Sequence, residues 1–548
     1  MDKQLMDFLL NSSSYEEKPR KVEFKQTHIS NVFLTDNYVY KIKKPVNFGF
    51  LDFTTLKKRR FYCFEELRLN KRLSGDIYLG VVRIIKKDNF IKIDESKLMV
   101  DLDEDDQNFN ENEEIIEYAV KMIRLPEDSL MSNYIKKDKL TKKHIKKISS
   151  ILANFYKNAK TNDTINSYGS IENIKFITNQ NFEQTEKYIS SLFEMEKFNF
   201  IKSATNKFIN SKKDLFNSRI LNGKIKECHG DLHSGNIFIN EKINIFDCIE
   251  FNEEFKNSDI CCDIAFLSMD LDFNYKKDLS KYLISEFVDS TSDYLLYALL
   301  DFYKCYRAFV RAKVNAFMSD NPNLTNDEKN IYIENAKKYF HLAYRYACIF
   351  NDLKPTVLIN CGFSGTGKSR WIKFASDMIN SSILRTDSIR KKLLNIQADT
   401  VKDEKYYQKY YSEEKRQLIY DYIYKKAKDI LNHGGKVSID ATFIKKENRL
   451  SYKKLAEEFN AKFIIIHTVA SSKIIKQRIN ERKEDENNLS DADFENAYQF
   501  QLNNFDDITK DEGLIIKINT EENEFQNLKI LRNKLGEYLE LEFKDIGY

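Results

Sequence analysis

TVLINCGFSGTGKS, residues 356–369, is an apolar run that passes into three glycines, a lysine and a serine. The apolar residues read as a buried strand, and the residues from Ser369 onward read as the start of a helix. Between them Gly362 to Ser369 fits the spacing GxxxxGK[ST], in the strand-to-helix context that this spacing needs. Gly362, Gly365 and Gly367 let backbone N–H groups wrap phosphate oxygens, with Ser364 and Thr366 in the same cradle. Lys368 then reaches the β/γ-phosphates of ATP, and the Ser369 hydroxyl ligates Mg²⁺. The reading makes residues 351–548 an α/β unit with a mostly parallel sheet, starting where the composition changes at Lys354 and Pro355.

Downstream in the same unit, Asp387 in SILRTDSIRKKL follows a second strand and precedes Arg390 by three residues. A carboxylate there can accept the proton of an attacking hydroxyl, and an arginine one turn on can hold an anion. The competing reading is a helix N-cap at Asp387 with Arg390 on a solvated face. Asp440 ends the strand KVSID, a position suited to a magnesium-bound water. Arg478 and Arg482, four apart in IIKQRINERK, are spaced to act together on a phosphate, or else they belong to a charged surface helix.

This block, about residues 355–520, resembles the small P-loop kinases related to polynucleotide kinase, zeta-type toxins and gluconate kinase. GFSGTGKSRW, the Asp387 to Arg390 pair, SIDATF at 438–443, RINER, and LSDADFENAYQFQL at 489–502 carry the likeness. It implies an aspartate that activates a hydroxyl and an arginine that contacts phosphate.

The 548 residues exceed one small binding module, and 42% hydrophobic with 31% charged residues excludes a disordered chain. With 88 Lys and Arg against 84 Asp and Glu, no global field singles out nucleic acid or an anionic membrane. Eight cysteines without a CxxC pair indicate reduced, mostly buried thiols. No apolar stretch is long enough to span a bilayer, and the N-terminus lacks a leader-like h-region, so a cytoplasmic protein is expected. The chain has 15 glycines, and five of them fall in two motifs, the loop above and a second at Gly230 and Gly235.

That second motif is HGDLHSGNIFIN, from His229, with Asp231 five residues before Asn236 and Asp247 ending the apolar strand INIFD. Phosphoryl transfer of the protein-kinase type needs a carboxylate facing the acceptor hydroxyl, plus an amide oxygen and a second carboxylate on Mg²⁺. Upstream, Lys41 in VYKIKK suits the strand lysine that grips phosphates. Glu66 in FEELRLN is its candidate ion-pair partner, with Glu65 as the alternative. Residues 27–53 read as strands joined by a hairpin at Thr35 to Asn37, and 59–73 as a helix. The lysine-rich segment 136–147 reads as the wet face of a core helix, and the acidic stretch 101–114 as a solvated loop.

Residues 25–345 resemble the aminoglycoside phosphotransferase and choline kinase superfamily, whose loop reads HGDxHxxN. The resemblance implies a bilobal fold over 1–350, with an N-lobe at about 20–125 and a helical C-lobe at 126–350. It also implies Asp231 as catalytic base, Asn236 and Asp247 as magnesium ligands, and Lys41 with Glu66 as phosphate clamp. The turn near Ser30 and Asn31 lacks the glycine usual above the phosphates, and DCIE replaces aspartate-phenylalanine-glycine. Asp259 and Asp263 suit a buttress for the loop. Arg307 and Arg311 suit either an anionic acceptor pocket or plain packing.

The fusion resembles a bacterial family of predicted bifunctional kinases. It implies an ATP- and Mg²⁺-dependent phosphotransferase whose acceptor is a hydroxyl of a small molecule, sugar or nucleotide. Two other readings stand beside it: a nucleotide-gated regulator with one inactive unit, and a polynucleotide 5′-end kinase, against which the near-neutral charge argues.

Overall fold

The computed structural model describes residues 2–49, 51–88, 90–102, 113–351, 354–396, 406, 409–483 and 498–539. Most of the acidic stretch (103–112) and residues 489–497 of the P-loop likeness lie outside the described residues. The chain gathers into two compact units, Met1–Ser292 with Phe302–Cys348, and Asp293–Asp301 with Ile349–Tyr548. The division falls at Cys348, two residues before the cut read from composition, and it adds a short internal segment to the second unit.

The first unit opens on β1 (Glu23–Gln26), β2 (Ser30–Leu34), β3 (Tyr38–Lys43), β4 (Tyr78–Lys87), β5 (Phe90–Met99) and β6 (Glu113–Ile123). They form an antiparallel sheet in the order β1-β2-β3-β6-β4-β5. Alternation along β3 decides what each face holds. Tyr40 and Ile42 join Leu5, Phe33 and Ile84 in one apolar cluster, which turns Lys41 and Lys43 to the opposite face. On that face lies the helix Leu56–Ser74, started by Thr55, whose hydroxyl accepts from the Lys58 N–H at 3.2 Å. Cys63, Phe64 and Leu67 of this helix pack on Val81, Tyr118 and Val120, and the same packing sets Glu66 against the sheet.

The rest of the unit is helical apart from short strands, β7 (Ile225–Glu227), β8 (Ile237–Ile239), β9 (Ile243–Ile245) and β10 (Asn257–Asp259). The lysine-rich segment does lead into a core helix, Lys142–Asn158, which buries Ile145, Ile148, Leu152 and Phe155. The helix Ile260–Phe273 is buried from Ile260 through Leu271, as befits the centre of a helical lobe. The first unit thus joins a six-stranded antiparallel sheet to a mainly helical part.

In the second unit β11 (Thr356–Cys361), β12 (Ser382–Arg385), β13 (Lys436–Asp440), β14 (Lys462–Val469) and β15 (Leu514–Asn519) make an all-parallel sheet in the order β12-β13-β11-β14-β15. β11 lies at its centre and is buried at every position, as a parallel strand covered on both faces must be. One face packs on Trp371, Ile372, Leu531 and Leu535 of the helices Lys368–Ile379 and Glu524–Leu539. The strand order changes direction at β11, so its carboxyl end is where such a sheet binds ligands. The glycine-rich loop begins there.

Candidate active sites

In the first unit the hairpin β8–β9 pairs Ile237 with Ile245, and the Phe246 N–H donates to the Asn236 carbonyl at 3.0 Å. Asn236 and Asp247, at the two ends of this short hairpin, are thereby brought to adjoining positions. Asp247 has a φ of 64°, and its N–H donates to the Tyr78 hydroxyl at 3.3 Å. Lys41 meets its anticipated partner Glu66, with Nζ 2.8 Å from Oε1, and also lies 2.6 Å from Asp247 Oδ1, a contact the sequence reading did not name. Glu65 is engaged elsewhere, with Arg68 and Lys256, so Glu66 is the partner.

A second lysine enters this cluster that the sequence reading did not pick out. Lys43 is fully buried, donates to Glu66 Oε2 at 2.5 Å and is also paired with Glu250. Burial pushes the Glu66 carboxyl up, but Lys41 and Lys43 outweigh it and hold the group below its ordinary value. For Glu250 burial wins, and its carboxyl is raised. Lys43→Met is expected to lower stability by about 3–5 kcal/mol, because it strands the buried Glu250 carboxylate and takes one of two cations from Glu66. Adding Glu250→Gln should recover part of that loss, as read by thermal denaturation of the single and double variants.

The loop after β7 is held by its backbone. Asp263 accepts from the N–H groups of His229 and Gly230 at 2.9 and 3.0 Å, and Tyr156 donates to it at 2.8 Å. The buttress is thus Asp263, whereas Asp259 binds Arg219 through two bonds of 2.7 and 2.8 Å. Asp231, at the turn of the loop, lies 3.4 Å from His233 Nε2 and accepts from Asn236 Nδ2 at 3.3 Å. Burial pushes its carboxyl up, but His233 and then Arg311 prevail, leaving it ionised well below the usual carboxylate range. Asn236 Nδ2 also donates to the Asp231 carbonyl at 3.0 Å, a bond that does not use the amide oxygen. An amide oxygen beside the 43%-exposed Asp247 carboxylate is an all-oxygen donor set of the kind Mg²⁺ takes. The β1–β2 turn is closed without glycine. Thr27 Oγ1 accepts from the Ser30 N–H at 2.9 Å, and Lys44 Nζ donates to the Thr27 carbonyl at 2.5 Å.

In the second unit Gly362, Gly365 and Gly367 have φ of 145°, 86° and 87°. A Cβ on Gly362 would stand 2.5 Å from the Thr468 carbonyl oxygen, so the loop can take this path only with glycine there. Gly362→Ala is expected to weaken ATP binding at this loop at least about tenfold, checked by nucleotide titration in a Lys41→Ala background. Thr366 Oγ1 donates to the Phe363 carbonyl at 2.7 Å and lies 2.8 Å from Thr468 Oγ1. Lys368 Nζ donates to the Phe363 carbonyl at 2.7 Å, and Ser369 is exposed in the first helical turn.

Asp440, at the end of β13 beside β11, accepts from Asn360 Nδ2 at 2.6 Å. Arg478 Nη1 approaches within 3.9 Å of the Cβ position of Gly367 and donates to Thr520 Oγ1 at 2.7 Å, so this arginine does reach the loop. Arg482 follows one turn on in the same helix, Ser472–Lys483. Asp387 is not an N-cap, a position taken by Arg385. It accepts from Arg390 Nη1 at 2.7 Å, while Arg390 also lies 4.0 Å over the Tyr411 ring. The sequence reading missed Gln501, which accepts from the Ser364 N–H at 2.8 Å and donates to its hydroxyl at 3.0 Å. It also missed Arg449, fully buried and bonded to Glu512 at 2.6 Å and to the Phe443 carbonyl at 3.0 Å behind the loop after β13.

Residues 357–505 match a family model described as an AAA domain. Across most of its length the chain is also similar to the uncharacterized protein Rv2004c of Mycobacterium tuberculosis, 25% identical over 461 residues that cover 84% of this chain and 86% of that one. Among solved structures, a choline/ethanolamine kinase family protein from Mesorhizobium loti is 7% identical at a TM-score of 0.36, covering 63% of this chain and 99% of its own. A gluconokinase from Sinorhizobium meliloti is 16% identical at a TM-score of 0.23, covering 34% and 94%. Among the described residues, no helix is long and apolar enough to cross a membrane.

Proposed function

We propose that the protein is an ATP- and Mg²⁺-dependent phosphotransferase with two nucleotide sites, each passing the γ-phosphoryl group to a hydroxyl of a small molecule, sugar or nucleotide. The observation that carries the reading is Lys41, 2.8 Å from Glu66 and 2.6 Å from Asp247, in the unit whose one loop also holds Asp231 and Asn236. The lysine, the carboxylates and the amide that phosphoryl transfer of this kind uses all occur in the first unit, which supports the reading. Asp231, ionised, accepts the hydroxyl proton as the acceptor oxygen forms its bond to the γ-phosphorus. The bond to the β-phosphate bridging oxygen breaks, and ADP leaves. Lys41 holds the phosphates, and Glu66 holds Lys41. Asn236 and Asp247 would hold Mg²⁺, which would supply neutralising charge on the phosphates.

In the second unit the same division of labour falls to the glycine-rich loop with Lys368 and Arg478 for phosphate, Ser369 and Asp440 for Mg²⁺, and Asp387 as proton acceptor. The ion pair between Asp387 and Arg390 supports the last role, since it keeps a carboxylate charged beside a group that binds anions. All eight cysteines are free, seven of them buried, which suits the reducing cytoplasm.

The test is transfer of label from γ-labelled ATP into a small-molecule extract and an oligonucleotide pool by the intact protein, Asp231→Ala and Lys368→Ala. Product lost in only one variant assigns it to that unit. ATP bound without any product, in an extract shown to be phosphorylated by other kinases, would overturn the reading.

A further inference from the structure

Arg307 and Arg311 stand one turn apart on the helix Leu296–Ser319, on the same face, and have different surroundings. Arg307 is buried and committed to the catalytic loop. It donates to the Gly230 carbonyl at 2.9 Å and to the Cys262 carbonyl at 3.3 Å, with its guanidinium 5.0 Å over the Phe266 ring. Those bonds turn this face of the helix toward Asp231. Arg311, the next residue on the face, is half-buried, with its guanidinium 5.6 Å over the Tyr339 ring.

Among the described residues no carboxylate forms an ion pair with Arg311 within 4.0 Å. Two carboxylates, Asp231 and Asp270, nonetheless feel its charge. Asp270 is already occupied, accepting from the Ser234 N–H at 2.9 Å. Asp231 is steadied by His233 and Asn236 on its own loop. A cation therefore stands off from the catalytic carboxylate at more than ion-pair distance, partly withdrawn from water and with no anion of its own. Burial works against this charge and Tyr339, Asp231 and Asp270 outweigh it, while the guanidinium keeps no carboxylate at ion-pair distance and so can still take an anion.

We infer that the acceptor of the first unit carries an oxyanion, a carboxylate or a phosphate, which Arg311 binds while the acceptor hydroxyl faces Asp231. The inference rests on the transferase reading and narrows its substrate class. The guanidinium fork matches either oxyanion through paired hydrogen bonds, and it repels the ammonium groups of amino alcohols and aminoglycosides. Arg311 is thus a specificity residue, and Arg307 a positioning residue for the loop.

The experiment uses the intact chain carrying Lys368→Ala, so that only the first unit transfers. Label from γ-labelled ATP is followed into three separate pools: hydroxy acids with sugar phosphates, neutral sugars with polyols, and amino alcohols with aminoglycosides. The expected result is label in the first pool alone. Arg311→Ala should then raise the acceptor KM at least about tenfold with the ATP KM unchanged, and Arg311→Lys should regain part of the loss. Label in either of the other pools, or label in the first pool indifferent to Arg311→Ala, overturns the inference. No label in any pool, with ATP still bound, defeats the transferase reading itself and the inference falls with it.

Discussion

Asp231→Asn is expected to slow phosphoryl transfer by the first unit about 10³-fold while ATP remains bound. The carboxylate is held ionised by His233 and Arg311, and the proposed phosphate clamp is built without it, Lys41 pairing with Glu66 and Asp247. Asparagine keeps the size of the side chain and removes only the proton acceptor. The Asp263 bonds to the His229 and Gly230 N–H groups keep the loop in place in the variant. Single-turnover transfer in the Lys368→Ala background, with nucleotide affinity measured alongside, separates the two quantities. A parallel fall in affinity and rate would mean that Asp231 holds the loop together and is not the base.

Lys368→Ala is expected to remove transfer by the second unit to a similar extent, about 10³-fold, and to weaken its ATP binding as well. Lys368 Nζ donates to the Phe363 carbonyl within the loop at 2.7 Å. That bond aims the ammonium across the cradle that the three glycines form, so its loss removes both a charge on the β/γ-phosphates and a brace of the loop. Arg478, tied to Thr520 at 2.7 and 2.9 Å, remains and leaves residual binding. Transfer by the first unit should be unchanged. The check is steady-state transfer by the Asp231→Asn protein with and without Lys368→Ala.

Both architectures were legible in the sequence because their deciding signals are local. The strand, glycine loop and helix of 356–379 lie next to one another in the chain, and so do Asp231, Asn236 and Asp247 around one short hairpin. The choice between Glu65 and Glu66 could not be made from spacing. It depends on which side of the helix Leu56–Ser74 faces β3, and that is set by Cys63, Phe64 and Leu67 packing on the sheet. Lys43 was open to the same argument, since alternation along β3 puts it on the face of Lys41. What hid it was its second partner, Glu250, which lies 207 residues away.

Residues that act through backbone groups are harder to single out. Asp259 and Asp263 both suited a buttress, and only the bonds of Asp263 to two N–H groups decide between them, while Gln501 holds the Ser364 N–H and a glutamine in a helix gives no sign of such a contact. Arg307 and Arg311 show the limit from the other side. Their spacing announces a shared face, but only the structure shows that Arg307 is bonded to the Gly230 carbonyl of the loop while Arg311 lies half-buried over the Tyr339 ring.

The central claim is two independent nucleotide sites in one chain. It is tested most directly by counting the molecules of a non-hydrolysable ATP analogue bound per chain at saturation with Mg²⁺. The count is made by equilibrium dialysis on the intact protein, on Lys41→Ala, on Lys368→Ala and on the double variant. The account predicts two, one, one and none. A single molecule bound by the intact protein, lost on one substitution and untouched by the other, would contradict it.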